Sequence, residues 1–177
     1  MREYTAFFYG TLMHPKILKA VIQNDGEHLK LCSALLLDYT RHEVKESDYP
    51  GIIPINKGLK ILKRTLSRDE GSVRGTLVTG LTTQDMHYLD SFEGSEYIRE
   101  KVEVHPLGPF SEVSTHSIDE NALVPEHPPP LPDSSNLLHA IEAETYVYIN
   151  EDNLNAELWS FDDFVKNNAW KWYGGTR

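Results

Sequence analysis

The chain has 177 residues, within the usual ~100–200 of one domain, and its apolar share of 40% is enough for one core without staples. Its single cysteine, Cys32, excludes an internal disulfide framework and a cysteine-based zinc site, and its net charge of −10 argues against non-specific binding to nucleic acid or an anionic membrane. No run approaches the ~18 apolar residues of a membrane span, and MREYTAFFYGTLMHP lacks the plan of a secretory signal, so a soluble, cytoplasmic protein is expected.

Residues 4–9, YTAFFY, are β-branched or aromatic and read as a buried strand that runs into Gly10-Thr11-Leu12. Pro15 suits a first helical position, Leu18, Val21 and Ile22 follow at helical spacing, and Asn24-Asp25-Gly26 is the expected stop. Residues 29–39 read as one strand covered on both faces, and Tyr49–Pro54 as an extended, turn-punctuated segment. The basic stretch 56–72 allows a short helix or a strand. Val73–Leu81 reads as a strand. Thr82–Asp85 is a capping box for a helix that carries Met86, Leu89 and Phe92 and ends at Gly94, and Tyr97–Val104 alternates as a strand. Residues 105–140 hold seven of the ten prolines and five acids but no Lys or Arg, the composition of a long loop. Residues 144–149 are a clear strand, and Ser160 with Asp163 caps an expected last helix, with Trp159 stapled to Phe164. The pattern predicts an α+β fold: a small mixed-strand β-barrel with flanking helices.

The charge is unevenly spread. Residues 1–104 carry 14 Lys/Arg and 15 Asp/Glu, whereas residues 105–177 carry 3 and 12. A near-neutral working half and an acidic half with another role are expected.

Two segments carry residue types with more than structural uses. In Tyr9-Gly10-Thr11-Leu12 a strand meets a glycine turn, where successive backbone N–H groups can form a small anion nest; a tight strand-to-helix turn explains the same residues. In Leu89-Asp90-Ser91-Phe92-Glu93-Gly94 a carboxylate sits at a helix C-terminus, which prefers cations, and beside an aromatic ring. That placement hints at a tuned acid, Glu93, although a solvated loop glutamate fits it too. Asp90 is either a surface acid or a partner for Arg99. Arg99, two residues after Tyr97 on one face of a strand, can orient either acid. The eight histidines form no i, i+4 pair or His-x-His, so no metal site is expected.

With Tyr49-Pro50-Gly51-Ile52-Ile53-Pro54, Val73-Arg74-Gly75-Thr76-Leu77 and Leu89-Asp90 to Arg99 following in order, the chain resembles the gamma-glutamylcyclotransferase-like family, in its gamma-glutamylamine cyclotransferase and avirulence-induced-gene-like branch. The resemblance covers roughly residues 4–55, 73–104 and 143–173 of a single domain spanning 1–177. It implies a compact barrel and a cofactor-free lyase or acyltransferase reaction, the release of a gamma-glutamyl group as 5-oxoproline from a small gamma-glutamyl amine or amino acid. It implies Glu93 as general acid/base and Tyr9, Gly10, Thr11 and Leu12 as the holders of the glutamyl head; the strand spacing adds Tyr97 and Arg99 as candidate supporting residues. Glutathione fits less well, because the relatives that degrade it carry another form of these motifs. Departures from the family's pattern are the basic stretch 56–72 and the acidic, proline-rich stretch 105–140, expected insertions that rim the pocket or decorate the surface. Pro128–Pro132 also suits a polyproline II ligand or a stiff spacer. The rival reading is a catalytically silent binding module that uses 105–140 as its docking surface.

Overall fold

The computed structural model describes residues 2–45, 49–112 and 132–158. The aromatic run near the start forms β1 (Tyr4–Phe8). Its side chains divide between two buried sets. Phe7, and Tyr9 just beyond the strand, join Cys32, Leu36, Leu77 and Val104; Ala6 and Phe8 join Leu18, Ile22, Val78 and Leu89. A strand covered on both faces needs apolar residues at every position, so its sequence shows a run and no alternation.

The first set fills a closed five-stranded barrel. Around the ring lie β1, β8 (Ile141–Tyr148), β6 (Tyr97–Pro106), β2 (Lys30–Leu37) and β5 (Ser72–Leu81), which returns to β1. The β1–β8 pair is parallel and the other neighbours are antiparallel. Closure removes the open sheet edges that invite association. A short seam joins β2 to β6, where Ala34 faces Pro106 and Leu35 faces His105. Where β5 crosses β1 the residue must be glycine: a Cβ on Gly75 would lie 2.2 Å from the Phe8 carbonyl oxygen.

The second set is covered from outside by α1 (Pro15–Ile22) and α3 (Thr83–Glu93), which pack on each other. The expected capping box is present in full. The Thr82 hydroxyl accepts from the Asp85 N–H at 3.0 Å, and the Asp85 carboxylate accepts from the Thr82 N–H at 3.0 Å. A cap of this kind contributes about 1 kcal/mol. Helix α1 ends one residue before the expected turn, with Gln23 left-handed at φ 61°.

Residues 29–39 are not one strand. Asp38 takes a left-handed φ of 65°, a conformation that aspartate tolerates better than most residues, and it ends β2. The chain then enters a second sheet in which β3 (Tyr39–Val44) lies between β4 (Pro50–Pro54) and β9 (Leu154–Leu158). The open choice in 56–72 resolves as α2 (Ile55–Leu62), followed by a loop tied by the Arg64–Glu70 ion pair at 2.6 Å. Of the stretch 105–140, the described parts hold the end of β6, a short strand β7 (Ser111–Glu112) paired with β2, and a helical turn at Ser134–Asn136. The greater part of the proline run and the expected helix after Ser160 lie outside the described residues. Among the described residues no helix is long and apolar enough to cross a membrane.

Candidate active site

Three chain segments meet at one end of the barrel. β1 runs into the helical turn Thr11–Met13, and the Met13 N–H closes that turn on the Gly10 carbonyl at 3.1 Å. Pro50 starts β4 beside it. A Cβ on Gly10 would lie 3.1 Å from the Pro50 ring, so close approach, and not a positive φ, accounts for glycine here. Helix α3 brings its C-terminal residues, Phe92 and Glu93, to the same place, and a turn at Gly94–Glu96 leads into β6.

Between them lies a cavity of about 260 Å³. Tyr9, Gly10, Leu12, Glu93 and Tyr97 all line it, so five of the residues singled out in the sequence share one space. Thr11 lies in the turn between Gly10 and Leu12. Arg99 is not among the lining residues. It sits opposite Tyr146 in the β6–β8 ladder, donates to Asp90 Oδ1 at 3.1 Å, and places its Nε 3.5 Å from Glu144. Asp90 takes both roles open to it: it is exposed on the helix and it partners Arg99.

Glu93 is partly buried, and among the described residues none donates a hydrogen bond to its carboxyl. Burial pushes its pKa up to about 8, and the charge of Asp90, one turn earlier, adds to the rise. A helix C-terminus does not favour the carboxylate either. Glu93 therefore holds its proton at neutral pH and can still release it one unit higher.

The walls are aromatic and mutually fixed. The Tyr9 hydroxyl donates to the Tyr146 carbonyl at 2.7 Å, the Tyr146 hydroxyl to Asp90 Oδ1 at 2.7 Å, and the Tyr97 hydroxyl to the Pro50 carbonyl at 2.9 Å. Burial first, and then the neighbouring acids, hold the Tyr97 and Tyr146 phenols far above the usual range, so both remain neutral donors. Beneath the turn, the buried Arg41 guanidinium donates to the carbonyls of Tyr9 (2.9 Å) and Arg74 (2.8 Å), and burial lowers its pKa to about 9.

Sequence reasoning missed Arg41, Tyr49, Glu96 and Tyr146 as parts of this site. Tyr146 and Tyr148 share a face at i, i+2, but only the pairing of β8 with β1 and β6 places Tyr146 at the cavity. Among the described residues no three His, Cys, Asp or Glu side chains are grouped to hold a metal ion.

A family model described as gamma-glutamyl cyclotransferase, AIG2-like, matches residues 6–170. AIG2-like protein C of Arabidopsis thaliana is 28% identical to this chain, over 91% of the chain and 69% of the relative. The solution structure of an Arabidopsis thaliana protein superimposes with a TM-score of 0.59 at 20% identity, covering 97% of this chain and 78% of that one. A yeast gamma-glutamyl cyclotransferase described as specific to glutathione superimposes with a TM-score of 0.51 at 14% identity, covering 84% and 69%. At these identities the solved structures establish a shared fold.

Proposed function

We infer the activity from one established point: the chain belongs to the gamma-glutamyl cyclotransferase, AIG2-like family. The function we propose is cofactor-independent release of 5-oxoproline from a small gamma-glutamyl amine or amino acid, as a cytoplasmic lyase or acyltransferase. The observation that carries it is Glu93, a carboxyl to which none of the described residues donates a hydrogen bond, with a pKa pushed up to about 8, sharing a 260 Å³ cavity with the Tyr9–Gly10 turn.

In the proposed reaction the substrate's alpha-nitrogen attacks its own gamma-carbonyl carbon. The nucleophile is already tethered, so much of the acceleration comes from holding the folded conformer. Aromatic walls pinned by their hydroxyls suit that task. The substrate arrives as an ammonium, which cannot attack. Ionised Glu93 takes one proton from it and the ring C–N bond forms; Glu93 passes that proton to the departing nitrogen as the gamma-carbon–nitrogen bond breaks, then, ionised again, takes the ring nitrogen's second proton and hands it to the freed amine, which departs as an ammonium. The same carboxyl serves as base and then as acid, and a pKa near the working pH suits both steps. Backbone N–H groups of the Gly10–Leu12 turn hold the anionic oxygens, either the alpha-carboxylate or the oxyanion of the tetrahedral intermediate. Arg41 steadies that turn from below through the Tyr9 carbonyl.

The test is 5-oxoproline release from a panel of gamma-glutamyl compounds, with Glu93→Gln beside the wild type. Release by the wild type and its loss in a folded variant support the reading. Equal release by both removes Glu93 from its role.

A further inference from the structure

Four tyrosines line the cavity with Glu93, and each commits its hydroxyl proton elsewhere. Tyr9 donates to the Tyr146 carbonyl, Tyr97 to the Pro50 carbonyl, and Tyr49 to Glu96 Oε1 at 3.1 Å. Tyr146 donates to Asp90 Oδ1 at 2.7 Å. A phenol has one proton to give, so a hydroxyl spent in this way turns only lone pairs to its other neighbours, and lone pairs do not stabilise a carboxylate. Asp90 stands apart among these acceptors. It lies on the same helix as Glu93, three residues earlier, and side chains at that spacing are neighbours, with about 5–6 Å between their Cβ atoms. The Tyr146 hydroxyl thus meets one of two adjacent carboxyls, and the charge of Glu93 acts on its phenol.

Asp90 is fixed in place for that contact. Arg99 stands opposite Tyr146 in the β6–β8 ladder, and its Nη1 donates to the same Oδ1 at 3.1 Å. Arg99 is itself held by Glu144, 3.5 Å from its Nε, and its guanidinium lies 5.7 Å from the centre of the Tyr4 ring. The titratable groups that face Glu93 are Asp90 on its own helix, Glu96 from the turn that follows, Tyr97 from β6, Tyr146 from β8, Tyr9 beyond β1 and Tyr49 just before β4. Both acids carry the sign of an ionised Glu93. A phenol favours that ionised form only when its proton is turned toward it.

We propose that Asp90 is a positioning residue that acts through Tyr146: by taking the phenol's proton it withholds a hydrogen-bond donor from Glu93, which leaves that carboxyl able to give and take a proton. This deepens the cyclotransferase reading and rests on it for its catalytic meaning. A Glu93 given the Tyr146 proton would keep its charge to lower pH and be the weaker base.

The experiment follows the Glu93 side-chain carboxyl by carbon-13 NMR titration, beside the pH profile of kcat/KM for 5-oxoproline release. The proteins are the full-length wild type, Asp90→Ala, Tyr146→Phe and the double variant, each checked by circular dichroism. The wild type titrates near pH 8. Asp90→Ala loses a like charge and frees the Tyr146 proton, so its midpoint falls by about one pH unit or more. Tyr146→Phe stays near the wild type, because its proton is not spent on Glu93. The double variant has no proton to redirect and titrates above Asp90→Ala, a coupling that a merely structural role for Asp90 does not produce. A double variant that coincides with Asp90→Ala leaves only the charge of Asp90 acting and overturns the proposal, as does an Asp90→Ala that titrates like the wild type. If the wild type releases no 5-oxoproline, the cyclotransferase reading fails, and the carboxyl titration decides this proposal on its own.

Discussion

Helix α3 carries an acid at each end, and the protein treats the two in opposite ways. Asp85 at the N-terminal end is 1% exposed and fully partnered. Its oxygens accept from the Thr82 N–H, from the Asn24 amide at 2.9 Å and from His28 Nε2 at 2.6 Å. Burial alone would raise its pKa, but these hydrogen bonds outweigh burial and hold it below the ordinary aspartate range. Glu93, about two turns on, has no such partner among the described residues. Burial acts unopposed, a nearby like charge adds to it, and the pKa moves up to about 8. One helix therefore has an anchoring end, where the charge is satisfied, and the end proposed as reactive, where no described residue satisfies it. Burial by itself does not tune an acid; the donors given to it or withheld from it decide the direction.

The largest effect that can break this contrast is on turnover. Glu93→Gln is expected to lower kcat by roughly 10²–10⁴, the usual worth of a positioned acid/base, with an unchanged circular dichroism spectrum. The same variant tests the sign of the contrast. A carboxyl with a raised folded pKa opposes folding increasingly as pH climbs from its unfolded value of about 4.5, and the cost is complete above about 8. Glu93→Gln should thus unfold at a higher temperature than the wild type at pH 9, with the gap closing by pH 4.

Next in size is the anchoring end. Asp85→Ala removes the carboxylate half of the capping box and strands the Asn24 and His28 donors, a loss of about 1–3 kcal/mol in urea unfolding. The activity of the fraction that remains folded should hold. For Asp85 the linkage runs the other way. Its stabilisation is present above the unfolded value and disappears as pH falls through the depressed folded one, so the difference between wild type and variant should vanish in strong acid.

The pH profile sharpens the reactive end. kcat/KM should rise about tenfold per unit on the acid side and bend near pH 8, then fall as the substrate's own ammonium loses its proton. A profile that bends near pH 4.5 would remove the tuning altogether. The smallest expected change is Tyr146→Phe, which takes one hydrogen bond from Asp90 and should cost about 0.5–1.5 kcal/mol of stability or transition-state binding.

What the sequence made legible is what is local. The Thr82–Asp85 box, the Gly94 stop, the Tyr9–Leu12 turn and the odd position of Glu93 are each encoded within a few residues. β3 was missed because polar residues fill its buried positions. Thr40 and His42 are both fully enclosed; the Thr40 hydroxyl and His42 Nε2 are 2.8 Å apart, and His42 Nδ1 lies 3.1 Å from the Asn155 carbonyl. Groups that satisfy one another can be interior without looking apolar. β9 buries little beyond Leu154 and so leaves no periodic trace. Tyr146 and Arg41 reach the site only through strand pairing across the chain, which no window of residues contains.

The parallel pairing of β1 with β8 has a consequence for synthesis. Residues made first are held by residues made more than a hundred positions later: Thr145 Oγ1 donates to the Phe7 carbonyl at 2.9 Å, and the Tyr146 carbonyl receives the Tyr9 hydroxyl. On the ribosome, β1, α1 and α3 can emerge and the first helical packing can form while the ring still lacks a stave. Until Tyr146 has left the exit tunnel the nascent chain has no binding cavity, whatever its Tyr-Gly-Thr-Leu turn and Glu93 are doing. Such late closure belongs to slow, high-contact-order folding.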